Sequence, residues 1–96
     1  MNYEMIDYIV NNKITDDVRI YKAFEPLIIS SIKNYYDRAD IFNELIDEGK
    51  TEIMYAIMEY NSNKKVPFNA YLKPRLRFYY LKKNPRRSIE SLYYQT

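Results

Sequence analysis

A single glycine, Gly49, stands in this chain of 96 residues. Tight hairpin turns need backbone conformations that glycine supplies most readily. With one glycine and four prolines, an all-β arrangement has little turn chemistry to close its hairpins, and a disordered linker has no composition to support it. Aromatic residues make up 17% of the chain, twelve of them tyrosine, which is too many for disorder. Helices joined by short polar loops are what the composition allows.

The length is that of one domain, short but able to fold alone. The chain has no cysteine and no histidine. Thiolate nucleophiles, disulfide scaffolds, zinc fingers and histidine general bases are therefore excluded together. Small secreted domains lean on disulfides, so a cytoplasmic location is expected. No apolar run approaches the ~18 residues of a membrane span. No basic region precedes an apolar stretch at Met1-Asn2-Tyr3-Glu4, so no signal peptide and no membrane partner are expected.

The net charge of +2 conceals a division. Residues 1–60 carry twelve acids against six bases, while residues 61–96 carry nine bases against the single acid Glu90. Such asymmetry points to two surfaces with two partners, and a basic half rich in aromatics suits nucleic acid.

Apolar spacing predicts the elements. A short helix covers residues 3–10, with Met5, Ile6, Ile9 and Val10 on one side. Thr15 or Asp16 is expected to cap a second helix reaching about Tyr36, striped by Ile20, Phe24, Leu27, Ile28, Ser31 and Tyr35. Pro26 lies inside it and predicts a kink or break. A turn at residues 37–40 leads into the clearest helix, residues 40–60. At 100° per residue, Phe42, Leu45, Ile46, Gly49, Ile53, Ala56, Ile57 and Tyr60 share one face. Glycine inside a helix costs roughly 1 kcal/mol against alanine, so Gly49 in the apolar stripe implies close contact with a neighbouring helix. The opposite face carries Asp40, Glu44, Asp47, Thr51, Met54 and Met58, and methionine there suits either solvent or an adaptable partner contact. After a polar loop at residues 61–65, Pro67 is expected to open a fourth helix that runs to Lys82 or Lys83, interrupted at Pro74. Leu72, Leu76, Tyr79 and Tyr80 form its buried side. Pro74, Phe78 and Leu81 point outward among Lys73, Arg75, Arg77 and Lys82. Asn84-Pro85 ends the helix, leaving a loosely docked tail with a short apolar patch at Ile89, Leu92 and Tyr93. The chain contains no internal repeat, glycine-rich phosphate loop, Ser/His/Asp set or metal-ligand spacing. An enzyme, a cofactor and a metal are therefore not expected, and the function should be binding.

One stretch is more specific. Residues 44–60, ELIDEGKTEIMYAIMEY, resemble the core of region 2 of bacterial sigma factors, where an acid, Leu, Ile, Gln, Glu and Gly precede Leu, Ala and an aromatic. A basic and polar loop follows, then Phe-x-x-Tyr at a helix start, here Phe68-Asn69-Ala70-Tyr71. Upstream, Phe24-Glu25-Pro26-Leu27-Ile28 resembles the Phe-x-Pro-Leu-Ile of the preceding helix. The similarity spans about residues 20–83.

The resemblance implies a role for each face. In sigma factors the helix matching residues 40–60 docks on the clamp helices of the largest catalytic RNA polymerase subunit, which implies that role for Glu44, Asp47, Glu48 and Met54, with Asp40, Thr51 and Met58 on the same face. The following helix binds and opens the −10 promoter element. Tyr71 matches an aromatic that stacks near an unpaired adenine. Phe78, Leu81 and Lys82 match positions at the element's upstream edge. Lys64, Lys65, Lys73, Arg75 and Arg77 are the accompanying candidate DNA cations. The departures are equally concrete. The tryptophan pair that wedges the duplex open in housekeeping members is here Pro74-Arg75, and base-reading polar positions are Phe78 and Leu81. Such divergence suits alternative sigma factors. The resemblance includes no region 4, so a downstream or separate region 4 protein is an expected partner.

The resulting expectation is an all-α, compact bundle of three to four helices over residues 1–83, with residues 84–96 a tail or the start of a linker. It would join core RNA polymerase through its acidic face and single-stranded −10 promoter DNA through its basic one. An anti-sigma-type or polymerase-binding adaptor has no need of the basic helix, and a general DNA-binding protein of a mobile element has no need of the acidic methionine-bearing face.

Overall fold

The computed structural model describes residues 3–36, 39–61 and 65–83. Lys64, the 37–38 turn and the tail at 84–96 lie outside these residues, so the expectations for them are not addressed. The described chain is all-helical: α1 at Tyr3–Asn11, α2 at Val18–Tyr35, a single 3₁₀ turn at Ala39–Ile41, α3 at Phe42–Glu59 and α4 at Phe68–Lys83. The expected bundle is therefore present, with helix limits within a residue or two of those read from periodicity.

Three local expectations are corrected or narrowed. The N-cap of α2 is Asp17, not Thr15 or Asp16; its carboxylate accepts the Arg19 backbone N–H at 3.0 Å and pairs with the Arg19 guanidinium at 2.7 Å. That guanidinium holds the Asp17 carboxyl below its ordinary range through the hydrogen bond it donates. Neither Pro26 nor Pro74 divides its helix. Both rings are exposed, so the carbonyl left without a helical donor, four residues back, lies where water can hydrate it. Pro67 does not enter α4 as its first residue but precedes it, its carbonyl accepting the Tyr71 N–H at 3.0 Å.

The helices share one core. Ile6, Ile9 and Val10 of α1, Ile20, Phe24, Ile28 and Ile32 of α2, Leu45, Ile53, Ala56 and Ile57 of α3, and Phe68, Leu72, Leu76 and Tyr80 of α4 are all buried. α2 packs on α3 and α4, α3 on α4, and α1 on α4. Ser31, the buried polar residue of α2, returns its hydroxyl to the Leu27 carbonyl at 2.8 Å, which satisfies it within its own helix.

Gly49 marks where three helices meet. A Cβ there would overlap the Tyr80 hydroxyl of α4 and lie 2.8 Å from Cγ2 of Ile28 in α2. The Tyr80 hydroxyl donates to the Leu45 carbonyl at 2.5 Å, one turn before Gly49. Glycine is needed here for space and not for its backbone freedom. The two left-handed residues among those described are lysines, Lys13 at φ 55° and Lys65 at φ 59°. At Lys13 that geometry accompanies a cap: Nζ donates to the Ile57 carbonyl at 2.9 Å and also to that of Tyr60, at the C-terminal end of α3. The Tyr60 hydroxyl in turn donates to the Val66 carbonyl and closes the loop into α4.

Candidate functional site

The outward side of α3 follows from its 3.6-residue period. With Leu45, Gly49, Ile53, Ala56 and Ile57 buried, Glu44, Asp47, Thr51 and Met58 are turned to solvent, continuing from exposed Asp40 in the 3₁₀ turn. Met58 is 57% exposed and Met54 is half-buried at the edge of a groove shared with Val18, Tyr21 and Lys22 of α2. Tyr55, 48% exposed, stands four residues after Thr51 on the same side. The sequence reading passed over it, although the spacing Asp47, Thr51, Tyr55 places it there. Glu48 differs from the rest of the expected acidic set. It is half-buried and faces α4, pairing with Lys83 at 2.7 Å. That hydrogen bond raises the Lys83 pKa above its usual value.

The outward side of α4 is built from two adjacent columns four residues apart, Lys73-Arg77-Leu81 and Pro74-Phe78-Lys82. All six residues are exposed, Phe78 by 60%. The Lys82 ammonium sits 5.3 Å from the Phe78 ring centre, a cation–π contact. No acid occurs anywhere in α4. The structure thus brings Lys73, Arg77, Phe78, Leu81 and Lys82 onto one surface, with Lys65 exposed in the preceding loop. Cations of this kind bind phosphates without reading sequence, and an exposed aromatic ring offers a stacking platform.

Tyr71 and Arg75 are placed differently. Both lie on the flank of α4 that faces α3, and both are half-buried. The Tyr71 ring packs 5.3 Å from Tyr60 and 6.1 Å from Phe68. Arg75 Nε donates to Glu52 Oε1 at 2.8 Å, while Nη1 donates to the Tyr71 hydroxyl at 2.8 Å and pairs with Glu59. Burial works against the Arg75 charge, but the hydrogen bonds to Glu52, Glu59 and Tyr71 outweigh it, and the guanidinium is a weaker acid than free arginine. Arg75 is therefore not part of the outward cation group. Its two carboxylate partners, Glu52 and Glu59, are two turns apart on one side of α3, and Tyr71 stands one turn before it on α4. Beside them, Glu52, Arg75, Phe78, Tyr79, Lys82 and Lys83 line an open cleft of about 500 Å³.

Among the described residues no cluster of acids could hold a metal ion, and no helix is long and apolar enough to cross a membrane. Comparison with protein-family models, with curated proteins and with solved structures finds no match to this chain.

Proposed function

We propose that this chain is a sigma region 2-like transcription initiation protein, acting in the cytoplasm by binding and not by catalysis. Its α3 surface of Glu44, Asp47, Thr51, Met58 and the newly found Tyr55 meets the basic clamp helices of RNA polymerase. Its α4 surface of Lys73, Arg77, Phe78, Leu81 and Lys82 meets the −10 promoter strand. A region 4 supplied downstream or by another protein completes promoter recognition. The observation that carries this reading is the acid-free outward side of α4, where three cations flank an exposed phenylalanine and leucine. A solvated surface has no need of Phe78, and an adaptor that touched only polymerase would have no need of the cations.

Charge complementarity sets orientation and association rate, while apolar side chains at the centre of an interface supply most of the affinity. The test is binding to an isolated clamp-helix fragment and to a fluorescent −10 oligonucleotide. Glu44→Lys with Asp47→Lys should abolish the first and leave helical circular dichroism intact. Lys73→Ala and Arg77→Ala should weaken the second and flatten its salt dependence. Unchanged fragment binding by the folded double variant overturns the polymerase assignment.

A further inference from the structure

Arg75 lies on the α3-facing flank of α4, and two of its three guanidinium nitrogens are held by this chain's own carboxylates. Glu52 takes Nε and Glu59 takes Nη1. The two acids are not equivalent. The Glu52 side chain is 17% exposed and inside the contact, whereas that of Glu59 is 59% exposed and reaches Arg75 from solvent. A carboxylate and a phosphate present the same pair of acceptor oxygens to a guanidinium. Phe78 and Lys82, both on the outward surface of α4, border the same cleft as Arg75. A nucleic-acid backbone following the outward cations therefore passes close to a guanidinium that Glu59 already holds.

We infer that Glu59 is an autoinhibitory contact, an internal stand-in for a phosphate that keeps Arg75 from the nucleic acid. This inference rests on the DNA-binding reading of α4. Glu52 and the Tyr71 hydroxyl keep Arg75 in place, so removing the Glu59 charge releases the one Nη1 hydrogen not held by Tyr71 without unbuckling α3 from α4. The isolated domain consequently binds single strands with one cation fewer than its sequence offers.

The experiment measures affinity for a short fluorescein-labelled single-stranded oligonucleotide between about 50 and 200 mM salt, where each added phosphate contact steepens the logarithmic slope by ~0.7. Glu59→Gln should bind roughly two- to fivefold tighter, the range of one exposed ion pair, and with that steeper slope. Glu4→Gln on α1 removes the same charge from an exposed side chain that makes no contact with Arg75 and controls for net charge. Its affinity and slope should stay near those of the unsubstituted protein. Adding Arg75→Gln to Glu59→Gln should cancel the gain. Circular dichroism checks folding, and because Glu59 is largely solvated, the single variant carries the test if the double variant unfolds. A folded Glu59→Gln protein with unchanged affinity and slope overturns the inference, and so does an equal gain from Glu4→Gln. Lys73→Ala separates the underlying reading: if it too leaves binding unchanged, or the oligonucleotide is not bound at all, the DNA assignment of α4 falls and the inference with it.

Discussion

Replacing Gly49 with alanine sets helix propensity directly against packing. In an exposed helix the change would stabilise by about 1 kcal/mol, because glycine loses more backbone freedom on folding. Here the new methyl overlaps the Tyr80 hydroxyl and lies 2.8 and 3.1 Å from Cγ2 and Cγ1 of Ile28. Tyr80 and Ile28 are both fully buried, so neither can swing into solvent. Displacing the hydroxyl breaks its 2.5 Å bond to the Leu45 carbonyl. That carbonyl still accepts within α3, but the Tyr80 O–H is left without a partner in the core, at about 1–3 kcal/mol. Overpacking against Ile28 adds about 1–3 kcal/mol. The propensity gain does not offset these costs, and the net loss is about 1–5 kcal/mol. For a domain of this size that lowers the melting temperature by at least about 5 °C, read by circular dichroism. Tyr80→Phe removes the atom nearest the new methyl. The double variant should therefore be more stable than the sum of its single effects, by about 1 kcal/mol or more. A Gly49→Ala protein that melts at or above the original, or strict additivity with Tyr80→Phe, refutes the three-helix contact.

The other predictions concern single contacts. Lys13→Met should cost about 1–2 kcal/mol in chemical denaturation, because it removes the donor to the Ile57 and Tyr60 carbonyls and a cation from the C-terminal end of α3. Burial raises the Tyr80 pKa above the ordinary tyrosine value, so its contribution is complete below about pH 10 and is lost as pH rises towards the folded-state value. Stability should accordingly fall above about pH 10, and Tyr80→Phe should make that fall shallower. Tyr36 and Tyr79, shifted upward by burial as well, and Lys83, held by Glu48, retain part of the slope. Tyr71→Ala should lower the melting temperature by several degrees through its contacts with Tyr60 and Phe68. Permanganate footprinting then decides its second role: a destabilised variant that still opens promoter DNA normally removes Tyr71 from the DNA site.

What the sequence made legible was periodic. The α3 stripe, the outward position of Phe78 and the crowding at Gly49 all follow from residues three and four apart, and each is found in place. Ile32 and Phe68 were missed as core residues, although each extends a stripe already recognised by one turn. Whether a proline breaks its helix depends on which side of the helix it occupies, which only packing decides, and neither Pro26 nor Pro74 does so. The partners of Arg75 lie 16 and 23 residues away on another helix. Spacing along the chain gives such a pair no signature until the two helices are laid side by side. Tyr55 is readable from its register, one turn after Thr51 on the outward side of α3. The division of charge between the halves is carried into the fold, with the acids concentrated on α3 and α4 free of them. What each surface binds is a matter of partners.

The cap that Lys13 places on α3 also bears on the order in which the molecule assembles. α1 has nine residues, fewer than an isolated helix needs to persist in water. What fastens it lies far along the chain, in packing on α4 and in the link from Lys13 to carbonyls 44 and 47 residues later. A chain emerging from its N-terminus therefore carries α1 as an unfastened segment until α3 is complete and α4 has docked. Contacts between residues so distant close late, because loop-closure entropy opposes them. In pulse-labelled refolding, the amides of α1 should gain protection after those of α2 and α3, even though α1 precedes both along the chain.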